Sequence, residues 1–412
     1  MKLLGFSPRF ILLAAAAMLL LTACPALSIL PRGRVKLVHQ VGADYAPGLR
    51  SNAYFATNDY LIYYWDNAVT AFDPASGSTA WQNTYPMLLT AEYDAENDKM
   101  YVWPFGHNVE ETPDPLTVVV VDAATGEAVK EFALNAPTEI VERWNPEAIA
   151  RIGSVIYVDE TEGEIAVLRE NASSIDYQNT IRIEDVYFAS QHSEWPDYFR
   201  ALKMLPAADR SGLYVLVTTS DGFFGLDHLY RINADGTKIW SAAPRVQPED
   251  FLLVDDRVVY LTSVGAVFLD AGSGEEIERT DIPIGDCPSD EYDLHPAKYD
   301  SENGLIYAPI GTLDVSGNRA KWLWEMPTLI DRVNITECNF KPAVKDGIAY
   351  FGAGNLLAVD VTSGKVVDIE GGSRTSYELR INSPAFSIGP YILTLWNDYT
   401  GRTYINVYQP NF

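Results

Sequence analysis

The fold turns on the stretch Ala71-Phe72-Asp73-Pro74-Ala75-Ser76-Gly77-Ser78-Thr79-Ala80-Trp81. Apolar residues lead into an Asp, two residues follow, then Ser-Gly, and an aromatic closes the phrase. The Asp carboxylate accepts backbone N–H groups about two residues on, which closes a tight turn. Gly supplies the φ > 0 position at little steric cost. The flanking residues alternate, so one face of each strand is buried. The trailing Trp is placed to pack on the next unit.

The phrase recurs as Val120-Val121-Asp122-Ala123-Ala124-Thr125-Gly126, as Phe268-Leu269-Asp270-Ala271-Gly272-Ser273-Gly274 and as Ala358-Val359-Asp360-Val361-Thr362-Ser363-Gly364. A looser copy is Arg231-Ile232-Asn233-Ala234-Asp235-Gly236, ending on Trp240. Short strands carrying Tyr63, Tyr101, Tyr157, Tyr214, Tyr260, Tyr307 and Tyr350 recur beside these phrases, and Tyr391-Ile392-Leu393 is the last. Most steps between them fit the ~40–50 residues of a four-stranded propeller blade. Two steps are longer, which places insertions near His107–Pro115 and between Asn171 and Arg210. Within the second, Trp195-Pro196-Asp197-Tyr198-Phe199-Arg200-Ala201-Leu202-Lys203 reads as a short amphipathic helix.

Such repetition predicts an all-β chain: a single β-propeller of four-stranded antiparallel blades over residues 35–412. Eight phrases predict eight blades. Seven stays open, because the copies around 163–174 and 313–324 have decayed. Val35-Lys36-Leu37-Val38-His39-Gln40 is a spare strand able to complete the last blade, whose final strand is Thr403-Tyr404-Ile405-Asn406-Val407-Tyr408.

The 412 residues carry 30 basic and 56 acidic side chains, a net charge of −26. Nucleic-acid binding draws its affinity from Lys and Arg on phosphates, so nucleic acid is excluded as a partner. A polybasic contact with anionic lipid is excluded on the same ground. The plain reading of the acid is a soluble exported surface; an acidic docking face is the other. No CxxC spacing, HExxH, GxSxG, P-loop or Rossmann fingerprint occurs.

Lys2 and Arg9 precede an apolar run from Phe10 to Ala23, the length of a signal-peptide core and short for a membrane span. It ends in Leu21-Thr22-Ala23-Cys24, which resembles the bacterial lipobox. That resemblance implies a signal peptide over 1–23, lipidation of Cys24 and a linker over 24–34. It also implies attachment to a membrane through the N-terminal lipid. Two alternatives stand. The apolar stretch read on to Leu30 makes an uncleaved anchor, against which Pro25, Arg32, Arg34 and Lys36 weigh. An ordinary cleaved signal makes Cys24 incidental. All three export the body of the chain. The lipobox reading places it on the outer side of a bacterial cytoplasmic membrane or in the periplasm.

The repeated Ala-x-Asp-x-x-(Ser/Thr)-Gly phrase with its Trp resembles the pyrroloquinoline-quinone-like (PQQ-like) repeat family over roughly residues 55–410. The resemblance implies a propeller. It implies little about activity, because the fold carries many functions. The family includes quinone-dependent dehydrogenases and non-enzymatic members, among them a lipoprotein subunit of the outer-membrane β-barrel assembly machinery. Its dehydrogenases use Ca²⁺, a quinone, an Asp base and often adjacent cysteines. This chain has no adjacent cysteine pair. No catalytic Asp or metal ligand maps onto it, so no cofactor is assigned. A lipobox on a chain of this length resembles the non-enzymatic branch.

Asp286, Asp290, Glu291, Asp293 and His295 cluster near Cys287. Oxygen ligands with one His suit Ca²⁺, but the order is not that of an EF-hand, and a solvated inter-blade loop is the plainer reading. Cys287 and Cys338 fall in consecutive inter-blade loops. Outside the cytoplasm such a pair forms a disulfide worth ~3–4 kcal/mol for so long a loop; two buried thiols is the alternative. Asn171-Ala172-Ser173 and Asn334-Ile335-Thr336 are sequons without meaning in most bacteria.

The expected function is that of a monomeric, exported scaffold whose loops bind another envelope protein, not an enzyme. A quinone- or metal-dependent enzyme and a carbohydrate-binding surface protein are the rivals.

Overall fold

The computed structural model describes residues 35–43, 54–65, 67–85, 89–95, 97–104, 116–193, 199–218, 229–242, 250–262, 265–281, 297–308, 311–317, 319–325, 334–338, 342–353, 355–370, 378–381, 384–397 and 403–411. Apart from a two-stranded parallel ribbon, Asn334–Cys338 with Glu378–Ile381, their strands fall into eight four-stranded antiparallel sets, numbered here as blades, and the fourth strands of blades 2 and 3 pair in parallel to join those two into one eight-stranded sheet. Blade 1 holds Tyr54–Ala56, Leu61–Trp65, Ala68–Asp73 and Ser78–Thr84. Blade 2 holds Leu89–Asp94, Lys99–Pro104, Leu116–Asp122 and Ala128–Asn135. Blade 3 holds Asn145–Ile152, Val155–Asp159, Glu164–Glu170 and Ser174–Arg182. Blade 4 holds Arg200–Pro206, Gly212–Thr218, Leu229–Asn233 and Lys238–Ala242. Blade 5 holds Asp250–Val254, Arg257–Thr262, Gly265–Asp270 and Glu276–Asp281. Blade 6 holds Lys298–Asp300, Leu305–Ala308, Gly311–Asp314 and Lys321–Glu325. Blade 7 holds Ala343–Lys345, Ile348–Ala353, Asn355–Asp360 and Val366–Glu370. Blade 8 is shared between the two ends of the chain. Ala385–Ile388, Tyr391–Asn397 and Thr403–Pro410 are completed by Val35–Ala43, which pairs antiparallel with the final strand.

Burial explains the sequence pattern. A third strand such as Ala68–Asp73 is buried along its middle, because blades pack against both of its faces. The fourth strand of the same blade, Ser78–Thr84, is largely exposed and polar. Apolar clusters bridge each blade to the next, and one joins Phe386, Leu393 and Val407 of blade 8 to Tyr54, Leu61 and Phe72 of blade 1. The ring is therefore closed by packing as well as by strand pairing. Closure leaves few bare sheet edges.

The turns form as the residues predict. Asp360 Oδ1 accepts Thr362 N at 3.1 Å and Ser363 N at 2.8 Å. Asp270 Oδ1 does the same for Gly272 N and Ser273 N, at 3.0 and 2.7 Å. The Ser273 backbone N–H holds the Asp270 carboxyl below its ordinary range. The decayed copies are blades all the same. In blade 6, Asp314 Oδ1 still accepts Ser316 N at 3.0 Å. In blade 3, Asn171 N donates instead to Ser174 O at 2.8 Å.

In every blade a β-bulge interrupts the pairing of the outermost strand. The residue just past it is Trp81, Lys130, Asn179, Trp240, Glu278, Trp324, Asp368 or, in blade 8, His39. Where that residue is Trp, it docks on the next blade. Trp81 Nε1 donates to Ala123 O at 3.2 Å, Trp240 Nε1 to Ala271 O at 3.1 Å and Trp324 Nε1 to Val361 O at 2.9 Å. Each ring lies on the glycine of that blade's turn: Gly126, Gly274 and Gly364. His39 does the same at the closure, with its ring against Gly77 and Nε2 at 3.3 Å from Ala75 O.

One expectation is corrected. Residues 194–198 lie outside the described set, but Arg200–Pro206 is a strand, not part of a helix. A bulge between Ala201 and Lys203 shifts the strand's alternation, so Ala201 and Met204 both become buried. That three-residue step imitates helical spacing. The helix of this region lies earlier, at Glu184–Ser190. The insertion expected near His107–Pro115 also lies outside the described residues, while a single helical turn, Thr138–Val141, separates blades 2 and 3.

Candidate functional site

Among the described residues, blade 3 brings together two buried glutamates and two arginines. Glu160 follows its second strand and is fully buried, and Glu164, 4% exposed, opens its third. Arg143 comes from the segment that leads into the blade. Its Nη2 lies 3.0 Å from Glu160 Oε2 and its Nη1 2.5 Å from Glu164 Oε2. Arg182, at the end of the fourth strand, places Nε 2.8 Å from Glu164 Oε1. Thr180 Oγ1 donates to Glu160 Oε1 at 3.0 Å.

The loop between these carboxylates is strained. Thr161, Glu162 and Gly163 all have positive φ, at 67, 54 and 78°. A β-branched residue in the left-handed region is uncommon and is held only by its surroundings. Here Glu164 N donates to Thr161 O at 2.9 Å and Gly163 N to Phe199 O of the next blade at 3.1 Å. The helix Glu184–Ser190 sits over the loop. Ser190 Oγ donates to Glu162 O at 3.1 Å, and Gln191 Nε2 to Glu162 Oε2 at 3.0 Å.

Val186, Ala189 and Ser190 are buried beneath this helix, whereas Phe188 points outward and is 66% exposed. The His192 ring lies 4.3 Å from that of Phe188, and its Nδ1 is 2.7 Å from Phe188 O. Lys238 of blade 4 pairs with Asp185, so the helix bridges blades 3 and 4. The result is a rigid mount for one exposed aromatic ring. Its charged groups pair with one another and hold the loop beneath the helix.

Burial raises the Glu160 carboxyl to about 7, against the lowering effects of Thr180 and Arg143. A raised carboxyl means that the folded chain holds a proton the unfolded chain has lost. Its contribution to stability is complete below pH 4.5 and is lost as pH rises to about 7. The difference is at most about 3 kcal/mol. Glu160→Gln is therefore expected to gain on the wild-type chain between pH 5 and pH 8. Urea unfolding of both chains at the two pH values checks this; an equal gap at both would refute it.

The residues singled out from the sequence are only partly placed. Cys24, Cys287 and the set Asp286, Asp290, Glu291, Asp293 and His295 lie outside the described residues. Cys338 ends the strand Asn334–Cys338, which pairs in parallel with Glu378–Ile381. That ribbon links the connections on either side of blade 7. Among the described residues, no group of three or more His, Cys, Asp or Glu could hold a metal ion.

No protein-family model and no curated protein matches the chain. Solved structures do. A europium-containing methanol dehydrogenase aligns over 91% of this chain and 93% of its own, with a TM-score of 0.57 and 12% identity. A quinohemoprotein alcohol dehydrogenase from Comamonas testosteroni aligns over 92% and 77%, with a TM-score of 0.51 and 9% identity. A computationally designed protein, Ika8, aligns over 89% and 97%, with a TM-score of 0.51 and 10% identity. The shared property is the fold: this chain is a β-propeller.

Proposed function

We propose that this chain is an exported, lipid-anchored, non-enzymatic propeller that holds another envelope protein, with the Phe188 helix as its docking point. The observation that carries the reading is Phe188 itself, 66% exposed on a helix fixed from below by buried side chains and a strained loop. An exposed aromatic on a rigid mount loses little entropy on binding, which is the property of an interface anchor. The address comes from the sequence: a signal-like run ending at Cys24, eleven residues before the first strand at Val35. Such a tether spans at most about 40 Å, which bounds the distance of Val35 from the membrane.

A photo-crosslinking phenylalanine analogue at position 188 of the full-length chain tests this in envelope fractions of a bacterial host. The expected result is one discrete adduct, with a Cys24→Ser chain released to the soluble fraction. Phe188→Ser is expected to weaken capture of the crosslinked protein by about tenfold or more. Its melting temperature should be unchanged, because the ring buries little. Adducts from other surfaces but none from position 188 would overturn the docking assignment. An unmodified N-terminal peptide at Cys24 would overturn the anchor.

A further inference from the structure

A propeller blade keeps one edge, its outermost strand. In seven of the eight blades that strand carries charge: Ala128–Asn135, Ser174–Arg182, Lys238–Ala242, Glu276–Asp281, Lys321–Glu325, Val366–Glu370 and Val35–Ala43 each include at least one Lys, Arg, Asp or Glu. Charged side chains on an edge oppose the addition of a further strand. Ser78–Thr84 of blade 1 is the exception. Its seven residues, Ser-Thr-Ala-Trp-Gln-Asn-Thr, include no charge and no proline, in a chain of net charge −26. Among the described residues, no strand pairs with its outer side.

The strand is also pinned and aimed. Asn83 Nδ2 donates to Gly126 O at 2.6 Å, beside the bond from Trp81 Nε1 to Ala123 O, so two side chains fix it to blade 2. Tyr85 N donates to Asn67 O at 2.7 Å, just past the strand's end. Bonded and unbonded pairs alternate along an antiparallel ladder. Asn83 and Trp81 are therefore the bonded positions, opposite Val69 and Ala71, and the N–H and C=O groups of Gln82 and Thr84 turn outward. Blade 2 shows such a group in use. Lys130 stands past its bulge as Trp81 does in blade 1, so Ala133 corresponds to Thr84. Ala133 N donates off the blade to Ser173 O at 3.1 Å, where the fourth strand of blade 3 adds in parallel to that edge.

We infer that the outermost strand of blade 1 is a strand-addition site, which takes an extended, uncharged segment of a partner protein flanked by basic residues. Backbone groups of Gln82 and Thr84 supply the ladder, and their exposed side chains meet those of the added strand. The pinning by Trp81 and Asn83 means that the edge pays little ordering entropy on pairing. The flanking charge follows from complementarity: Asp73 precedes the strand, Glu127 adjoins the Gly126 that holds Asn83, and the chain as a whole is acidic. The same charge opposes a second copy of this chain as the occupant. The site lies on a different blade from the Phe188 helix and does not depend on docking there.

The test uses the folded full-length chain and a fluorescein-labelled peptide, Arg-Thr-Val-Thr-Val-Thr-Arg, with a glutamate-flanked counterpart and a third carrying proline at its centre. Fluorescence anisotropy reads binding, and hydrogen exchange reads the amides of the strand. The arginine-flanked peptide is expected to bind about tenfold more tightly than the glutamate-flanked one and to slow exchange at Gln82 and Thr84 by about tenfold. The proline peptide cannot complete the ladder and is expected not to bind. Thr84→Pro removes an outward N–H that the blade itself does not use, so it is expected to abolish binding with the melting temperature kept. Phe188→Ser is expected to leave binding intact, so the two docking sites fail separately. Absence of binding by the arginine-flanked peptide would overturn the site, as would binding that proline, in the peptide or at position 84, does not reduce. Protection of Gln82 and Thr84 that appears without peptide and grows with chain concentration would overturn it in favour of a second copy. Should Thr84→Pro not fold, Gln82→Lys with Thr84→Lys replaces it, and unchanged binding there is equally fatal.

Discussion

Asp250→Ala is expected to destabilise the propeller by about 3–5 kcal/mol, the cost of breaking a buried ion pair from one side. Asp250 opens the innermost strand of blade 5 and is 1% exposed. Its Oδ1 accepts Lys203 Nζ from blade 4 at 2.6 Å and its own neighbour Phe251 N at 2.7 Å. Its Oδ2 accepts Ala297 N, at the entry to blade 6, at 2.7 Å. One carboxylate thus ties three blades together. Alanine strands two backbone donors and a lysine at once.

The partner is less critical. Lys203 is partly exposed, and its ammonium also donates to Phe251 O at 2.8 Å. Lys203→Met leaves Asp250 with both backbone donors, so its cost is expected to be smaller than that of Asp250→Ala. The double variant is expected to cost less than the sum of the two, because each single change leaves a charge without its partner. Urea midpoints for the four chains check the cycle. Additive costs, or a larger loss from Lys203→Met, would show that Asp250 is not the tie point.

How much of this was readable beforehand follows from how local each interaction is. The Asp–Gly turns were legible because donor and acceptor lie two or three residues apart, as with Asp360 and Thr362. The docking of Trp81 and Trp240 on the next unit was legible because the motif repeats with its Trp. His39 was not, since it does the same work at the opposite end of the sequence from the rest of its blade. The strand at Arg200–Pro206 was misread because a bulge turned a period of two into a step of three. The site of blade 3 was missed outright. Arg143, the turn that carries Glu160 and Glu164, and Arg182 come from three segments that meet only in the folded sheet. The one local signal was the run Asp159-Glu160-Thr161-Glu162-Gly163-Glu164, four acids between two apolar strands that a solvent loop does not require.

Trp324→Ala is expected to cost about 3–5 kcal/mol, the range for emptying a buried aromatic site. Trp324 is 5% exposed, sits edge-on to Phe351 at 6.1 Å and donates to Val361 O at 2.9 Å, so it couples blade 6 to blade 7 through both packing and a hydrogen bond. Trp324→Phe keeps most of the packing and loses the donor, which predicts a smaller cost of about 1–3 kcal/mol. Gly364 makes the assignment testable in a way that burial alone does not. Its φ is +63°, and a Cβ added there would stand 2.5 Å from Trp324 Cβ. Gly364→Ala is therefore expected to be costly in the wild-type chain through both the backbone and the clash. In a Trp324→Gly background, which removes Cβ as well as the ring, the clash is gone and only the left-handed backbone remains, worth about 1 kcal/mol. The two substitutions should then be strongly sub-additive. Denaturant unfolding of the four chains measures this, with the near-UV signal of the remaining tryptophans as a check that the ring stays closed. Full additivity would mean that the ring does not rest on the turn, and that blades 6 and 7 are held by the rest of their shared core.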